Sequence, residues 1–107
     1  MTAHKRTLIK NGTVVTASDT FQSDVWIEGD KIVALTHASL RANWPTPDLE
    51  IDAHGKYVLP GGIDAHTHIY TTDALRQALA FGVTTELDMF TLPSILKPLR
   101  KLTDGNR

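Results

Sequence analysis

The chain has 107 residues, 41% hydrophobic and 21% charged, the balance of one small globular domain rather than a disordered or fibrous chain. Eleven Lys and Arg against twelve Asp and Glu leave a formal charge of -1, so nothing in the charge draws the chain to nucleic acid or to an anionic membrane. There is no cysteine, hence no disulfide frame and no thiolate, and any metal must be held by histidine, carboxylate or water.

No run approaches the roughly 18 apolar residues of a membrane span. The N-terminal MTAHKRTLIKNGT has early charge but no apolar stretch behind it, so it does not read as a signal peptide and the expected compartment is the cytoplasm.

The first half reads as short strands and tight turns. Thr7 to Lys10 is a brief β run, Asn11-Gly12 a two-residue turn signal, and the β-branched Thr13 to Thr16 a further strand. Ser18-Asp19 interrupts. Asp24 to Thr36 reads as a hairpin turning at Gly29-Asp30, with Val25 and Ile27 on one face of its first strand and Trp26 and Glu28 on the other. His37 to Asp48 holds Pro45 and Pro47 and reads as loop, with a helical turn near Ser39 to Asn43. Leu49 to Asp52 is a short strand, Ala53-His54-Gly55 a turn, and Lys56 to Leu59 is expected to pair back. Pro60-Gly61-Gly62 closes this part.

After Gly62 the hydrophobic period changes. Ile63 to His68 is a strand candidate. Thr72 is the expected N-cap of a helix, with Asp73 at its positive end and Leu75, Ala78 and Leu79 as its apolar stripe. Gly82 stands where a C′ glycine belongs. Val83 to Leu87 is a second strand. Leu92 to Leu102 is a second helix, which Pro98 should kink or restart. The tail Thr103 to Arg107 is polar and expected to fray. The order is a β-meander and then β-α-β-α, the opening of a parallel sheet with helical crossovers. Parallel strands are normally covered on both faces, and two of them supply little cover for each other.

The chemistry concentrates in Gly61-Gly62-Ile63-Asp64-Ala65-His66-Thr67-His68. Residues i and i+2 of a strand share a face, so His66 and His68 present two imidazoles side by side, suited to one divalent cation. A His-x-His also arises incidentally; its place at the C-terminal end of a strand, on the seam between meander and βα pattern, makes this one a candidate. Asp64 is expected to orient the motif through hydrogen bonds. Glu86 and Asp88 share a strand face and read as structural caps rather than ligands. His4, His37 and His54 read as solvated, and Trp26 and Trp44 as packing residues.

PGGIDAHTH, residues 60–68, resembles the first-strand metal motif of the amidohydrolase superfamily. TLIKNGTVVTASDTFQSDVWIEGDKIVAL, residues 7–35, resembles the N-terminal β-sandwich strands of dihydropyrimidinases and hydantoinases. IDAHGKYVLPGGID, residues 51–64, resembles the re-entry of that subdomain into the barrel, and DALRQALAFGVTTELDMFT, residues 73–91, the first barrel helix and second strand. The connection at residues 69–80 is shorter than in hydantoinase-like relatives and looks more like imidazolonepropionase-related amidohydrolases.

The resemblance implies an α/β fold with a β-rich N-terminal part. Residues 1–59 would be strands of a composite β-sandwich subdomain, and residues 60–107 the first β-α-β-α units of a TIM-type hydrolase barrel. A complete barrel takes about 250 residues, so the resemblance is to a truncated one. His66 and His68 would bind the more buried ion of a one- or two-metal centre, zinc first among the candidates. The remaining ligands in such relatives (a lysine, often carboxylated, two histidines and an aspartate) come from later strands. The implied reaction is hydrolysis of a C–N bond other than a peptide bond, in a small-molecule cyclic amide of hydantoin or dihydropyrimidine type, by metal-activated water. The acid–base residues are not assigned, and the 107-residue chain alone is expected to be inactive. Relatives form dimers and tetramers, which leaves homo-oligomers open. The competing readings are an imidazolonepropionase-like or other general amidohydrolase, a small metal- or partner-binding protein, and an inactive truncated product.

Overall fold

The computed structural model describes the backbone of residues 5–104 and the side chains of residues 5–102. The chain divides into two compact units, Met1–Pro60 and Gly61–Arg107. His4 and the tail beyond Asp104 lie outside the described residues.

In the first unit one long strand, β1 (Arg6–Val15), organises all the others. It pairs antiparallel with β2 (Thr20–Glu28), which pairs antiparallel with β3 (Lys31–Thr36). The β2–β3 hairpin turns at Gly29, whose φ of 61° is the left-handed conformation a tight turn requires. On its other edge β1 pairs in parallel with β4 (Leu49–Asp52) through Thr7–Lys10, and with β5 (Tyr57–Val58) through Thr13–Val14. The sheet order is β3-β2-β1-β4, with β5 also on β1. A 310 helix, Ala38–Asn43, follows β3. Leu8, Val14, Val25, Trp26 and Ala53 form the apolar core. Trp26 is 1% exposed, stacks on Trp44 with ring centroids 5.1 Å apart, and donates its Nε1–H to Thr36 Oγ1 at 3.0 Å.

Two expectations are corrected here. Asn11-Gly12 is not a hairpin turn but a bulge inside the continuous strand β1, where the register with β2 shifts between Ile9 and Gly12. Only Asn11 takes the left-handed conformation, with φ 63°, whereas a type I′ turn needs both residues there. Gly12 is glycine for a different reason: a Cβ at this position would press on Val58 and come within 3.2 Å of Ala53 Cβ. Nor does the segment after His54 pair back on β4. Ala53 N donates to Lys10 O at 2.9 Å and Thr13 N to Lys56 O at 3.0 Å, so β4 and β5 run on in one direction along β1 around a four-residue excursion.

A partly buried ion pair holds the bulge. Asp24, on β2 beside it, is 1% exposed. Arg41 of the 310 helix donates Nε to Asp24 Oδ2 at 2.7 Å and Nη2 to Oδ1 at 2.9 Å, and the same Nη2 reaches Asn11 Oδ1 at 2.8 Å. Asn11 N donates to Asp24 Oδ1 at 3.0 Å, and its side-chain amide to Asp52 Oδ1 at 3.1 Å. Burial alone would raise the Asp24 carboxyl. The Arg41 hydrogen bonds, the Asn11 N–H and the Arg41 charge outweigh it and hold the group below its ordinary range.

The second unit is a β-α-β unit followed by a helix. β6 (Gly62–Thr67) and β7 (Val83–Asp88) pair in parallel, joined by α1 (Thr72–Ala80), and α2 (Pro93–Asp104) follows. The N-cap of α1 is Thr71, one residue earlier than expected: its side chain accepts from Ala74 N at 3.2 Å, which leaves Thr72 inside the first turn. Gly82, at φ 86°, ends the helix as a C′ glycine. α2 passes through Pro98 without stopping and extends to Asp104, past the expected end at Leu102. The described structure is thus rich in strands and has few helices, none long and apolar enough to cross a membrane.

A carboxyl depressed in the fold stabilises it above the ordinary unfolded value of about 3.9, and that stabilisation is lost as pH falls through the lower folded value. Thermal unfolding of the full chain should therefore lose stability below about pH 4, and Asp24→Asn should make that dependence shallower. At neutral pH Asp24→Ala should cost about 1–3 kcal/mol, because it takes the acceptor from the Asn11 N–H and from the Arg41 guanidinium. Circular dichroism melts across the pH range check both outcomes.

Candidate functional site

The site lies at the C-terminal end of β6, where His66 stands near the end of the strand and His68 just beyond it. The two rings are exposed, with centroids 5.3 Å apart and planes at 74°. The register with β7 slips between Asp64 and Thr67, so β6 carries an extra residue at this point. The side chain of Asp64 accounts for the slip. Its Oδ1 accepts from His66 N at 3.1 Å, a local bond two residues along that takes the amide away from the ladder. Asp64 thus acts on the motif through the backbone.

Asp88 makes the second link. Its Oδ2 accepts from Ile69 N at 2.8 Å and its Oδ1 from Thr91 N at 3.0 Å. Beside it Met89 N donates to Thr67 O at 2.7 Å. The Ile69 N–H is the main reason that the Asp88 carboxyl sits below its ordinary range; partial desolvation opposes it, and Thr91 and the nearby His68 help. Asp88 thus caps two backbone donors, the structural role its sequence position suggested.

Glu86 differs from it. Its Oε2 is buried with no hydrogen-bond partner among the described residues, at the edge of a groove of about 610 Å³ between α1, β7 and α2. Leu75, Leu79, Leu96 and Leu99 are among the residues that line that groove. His54 is exposed in its turn, as expected. His37 is exposed but not merely solvated: its Nδ1 accepts from Ser39 N at 3.2 Å and so caps the 310 helix.

Two features of the site were not legible in advance. Phe90 adopts φ 66°, which costs a bulky residue about 1–3 kcal/mol, and its side chain is 94% exposed. Thr91 beside it is buried, with an unpaired hydroxyl among the described residues. The only sequence signal for either was Asp88 three residues before Thr91, the spacing of a side-chain-capped turn.

Two adjacent imidazoles can serve as two ligands of one divalent cation, and their chemistry fits zinc without selecting it over iron, manganese or nickel. A catalytic zinc usually takes three protein ligands. Among the described residues no cluster of three or more His, Asp or Glu could hold an ion. The pair therefore fits as part of a ligand set, not as a whole one.

Two histidines at the C-terminal end of the first strand of a parallel β-α-β unit stand where α/β sheets place their ligand-binding residues. A family model described as "Amidohydrolase family" matches residues 49–91. D-hydantoinase of Streptomyces coelicolor is 39% identical over 111 residues, covering 94% of this chain and 24% of that protein. D-hydantoinase of Geobacillus stearothermophilus is 42% identical over 105 residues, covering 88% and 21%. Among solved structures, a D-hydantoinase (dihydropyrimidinase) from Thermus sp. superposes with a TM-score of 0.68 at 36% identity, over 78% of this chain and 20% of that one. The chain belongs to the amidohydrolase superfamily, and the relatives it resembles are hydantoinases and dihydropyrimidinases. It spans about a quarter of the length of the curated relatives it matches.

Gly61 sets how closely β7 approaches the start of β6. A Cβ there would overlap the Thr84 side chain, whose own Cβ would stand 2.6 Å away. Thr84 is short and β-branched and cannot swing clear. Gly61→Ala should therefore cost about 1–3 kcal/mol and speed amide exchange along β6 and β7, while β1 amides keep their protection. Hydrogen exchange read by NMR checks this.

Proposed function

We propose that this chain is part of a metal-dependent hydrolase of cyclic amides, of hydantoin or dihydropyrimidine type, in which His66 and His68 are two ligands of a catalytic divalent ion, zinc first among the candidates. The observation that carries this reading is the pair of imidazoles at 5.3 Å, at the mouth of the first strand of a β-α-β unit, in a chain 39% identical to a D-hydantoinase. That similarity covers 94% of the chain and so favours the hydantoin-type substrate over an imidazolonepropionase-like one.

In this reading residues 1–59 are strands of a β-sandwich subdomain and residues 60–107 are the first units of a (β/α)8 barrel. The exposure of β6 supports it: Ile63, an apolar residue on a parallel strand, is 67% exposed, where barrel strands are covered on both faces. When bound, the ion would polarise the amide carbonyl and lower the pKa of a coordinated water toward 7. The contribution of this chain is narrower. His66 and His68 hold the ion through neutral nitrogens, and Asp64 fixes the backbone of His66. A third ligand and the proton carriers would come from polypeptide other than these 107 residues.

The reading has a direct test. The chain would replace the matching segment of Geobacillus stearothermophilus D-hydantoinase, and hydantoin ring opening would be followed. Measurable activity is expected, falling at least about 1,000-fold on His66→Ala or His68→Ala, while the isolated chain stays inactive. Zinc added to the isolated chain should shift the imidazole resonances of His66 and His68 together and leave His37 and His54 unmoved. An active chimera indifferent to both histidines, or a chain that turns over hydantoin alone, would sink the proposal.

A further inference from the structure

We infer that Asp88 is a positioning residue for His68, fixing the backbone beyond it and so aiming its imidazole at the cation it shares with His66. The inference rests on the metal reading above and goes beyond it, because it assigns a role to a residue on the neighbouring strand.

The geometry isolates His68. β6 ends at Thr67, so His68 lies beyond the strand, whereas His66 lies within it at the register slip, its amide held by Asp64. Yet the residue on each side of it is tied to the end of β7. Before it, Thr67 O accepts from Met89 N at 2.7 Å; after it, Ile69 N donates to Asp88 Oδ2 at 2.8 Å. In a parallel pair such bonds are evenly spaced and come from the backbone. Here the backbone supplies the first, and the Asp88 carboxylate takes over for the second as the strands part. His68 is the single residue spanned by the two, so its φ and ψ follow from where they are anchored.

Asp88 is itself held in place. Its other oxygen accepts from Thr91 N at 3.0 Å, across Phe90 at φ 66°. The exposed Phe90 side chain has little packing to impose that conformation, which leaves the Asp88–Thr91 bond as its support. Ile69 is only 7% exposed, so water is a poor substitute acceptor for its N–H. This separates Asp88 from Asp64, whose bond to His66 N lies at an exposed residue. Both Asp88 oxygens already hold a backbone N–H, which argues for positioning rather than ligation. It also explains the choice of residue: asparagine offers one acceptor and turns its NH2 toward the other donor.

The test uses the full chain, with zinc as the probe. Imidazole NMR gives the dissociation constant at the His66–His68 pair, and amide exchange at Ile69 reports the latch independently of any metal. In Asp88→Asn and Asp88→Ala, Ile69 exchange should quicken and the zinc dissociation constant should rise at least about tenfold, with the alanine variant worse. Thr71→Ala, which removes the α1 cap in the same unit, distinguishes positioning from general loosening. It should lower thermal stability yet leave zinc binding within about twofold. The inference fails if Asp88→Asn frees the Ile69 amide but binds zinc as the parent chain does, if Ile69 exchange does not change, or if Thr71→Ala weakens zinc as much. No zinc response at His66 and His68 in the parent chain would overturn the metal reading itself, a separate outcome from these.

Discussion

A backbone N–H that leaves the strand ladder needs another acceptor, and at several such places in this chain aspartate supplies it. Asp24 takes the Asn11 amide at the bulge of β1, Asp48 the Arg6 amide at its start, and Asp52 the His54 amide where β4 gives way to β5. In the second unit Asp64 takes the amide of His66, and Asp88 those of Ile69 and Thr91. The short side chain explains the choice: its two oxygens reach a nearby amide without the rotamer freedom a glutamate would have to give up. An ordinary acidic content thus does structural work, and at the end of β6 the same device holds the residues on which chemistry would depend.

The two units use that device to different ends. In the first, Asp24 is buried beside an apolar core of Leu8, Val14, Val25 and Trp26 and paired with the partly exposed Arg41, and a bulged strand becomes a fixed one. In the second, little is buried: Ile69 and Thr91 are covered, while β6 and the two imidazoles stand open. A two-stranded parallel pair cannot cover its own faces. That openness matches the proposed chemistry, in which His66 and His68 are two members of a larger ligand set, and with the short share of each relative that the chain spans.

Much of this was legible along the chain because it is local. The Gly29-Asp30 turn, the 310 turn before Trp44, the apolar stripe of α1 and its C′ glycine all follow from residues within a few positions of one another. The readings that failed depended on distant neighbours. Asn11-Gly12 carries the composition of a hairpin turn, but Val58, Ala53, Asp24 and Arg41 convert it to a bulge. The strand after His54 follows β1 rather than β4, because Lys10 O accepts from Ala53 N and Thr13 N donates to Lys56 O along that edge.

Sequence was enough for the His-x-His at the end of a strand, the switch from β period to βα period, and the superfamily, since each rests on residue type and spacing along one stretch. It was also enough to make Asp64 a candidate, because that contact closes over two residues. The tertiary fold alone decided that Asp88 reaches across from β7 to the amide after His68, that Asn11 is locked by an arginine thirty residues away, and that Gly61 is small because Thr84 leaves no room. The division has one physical cause: hydrogen bonds within a turn are set by local geometry, whereas those that close a ladder or seat a buried charge depend on which strand folding brings alongside.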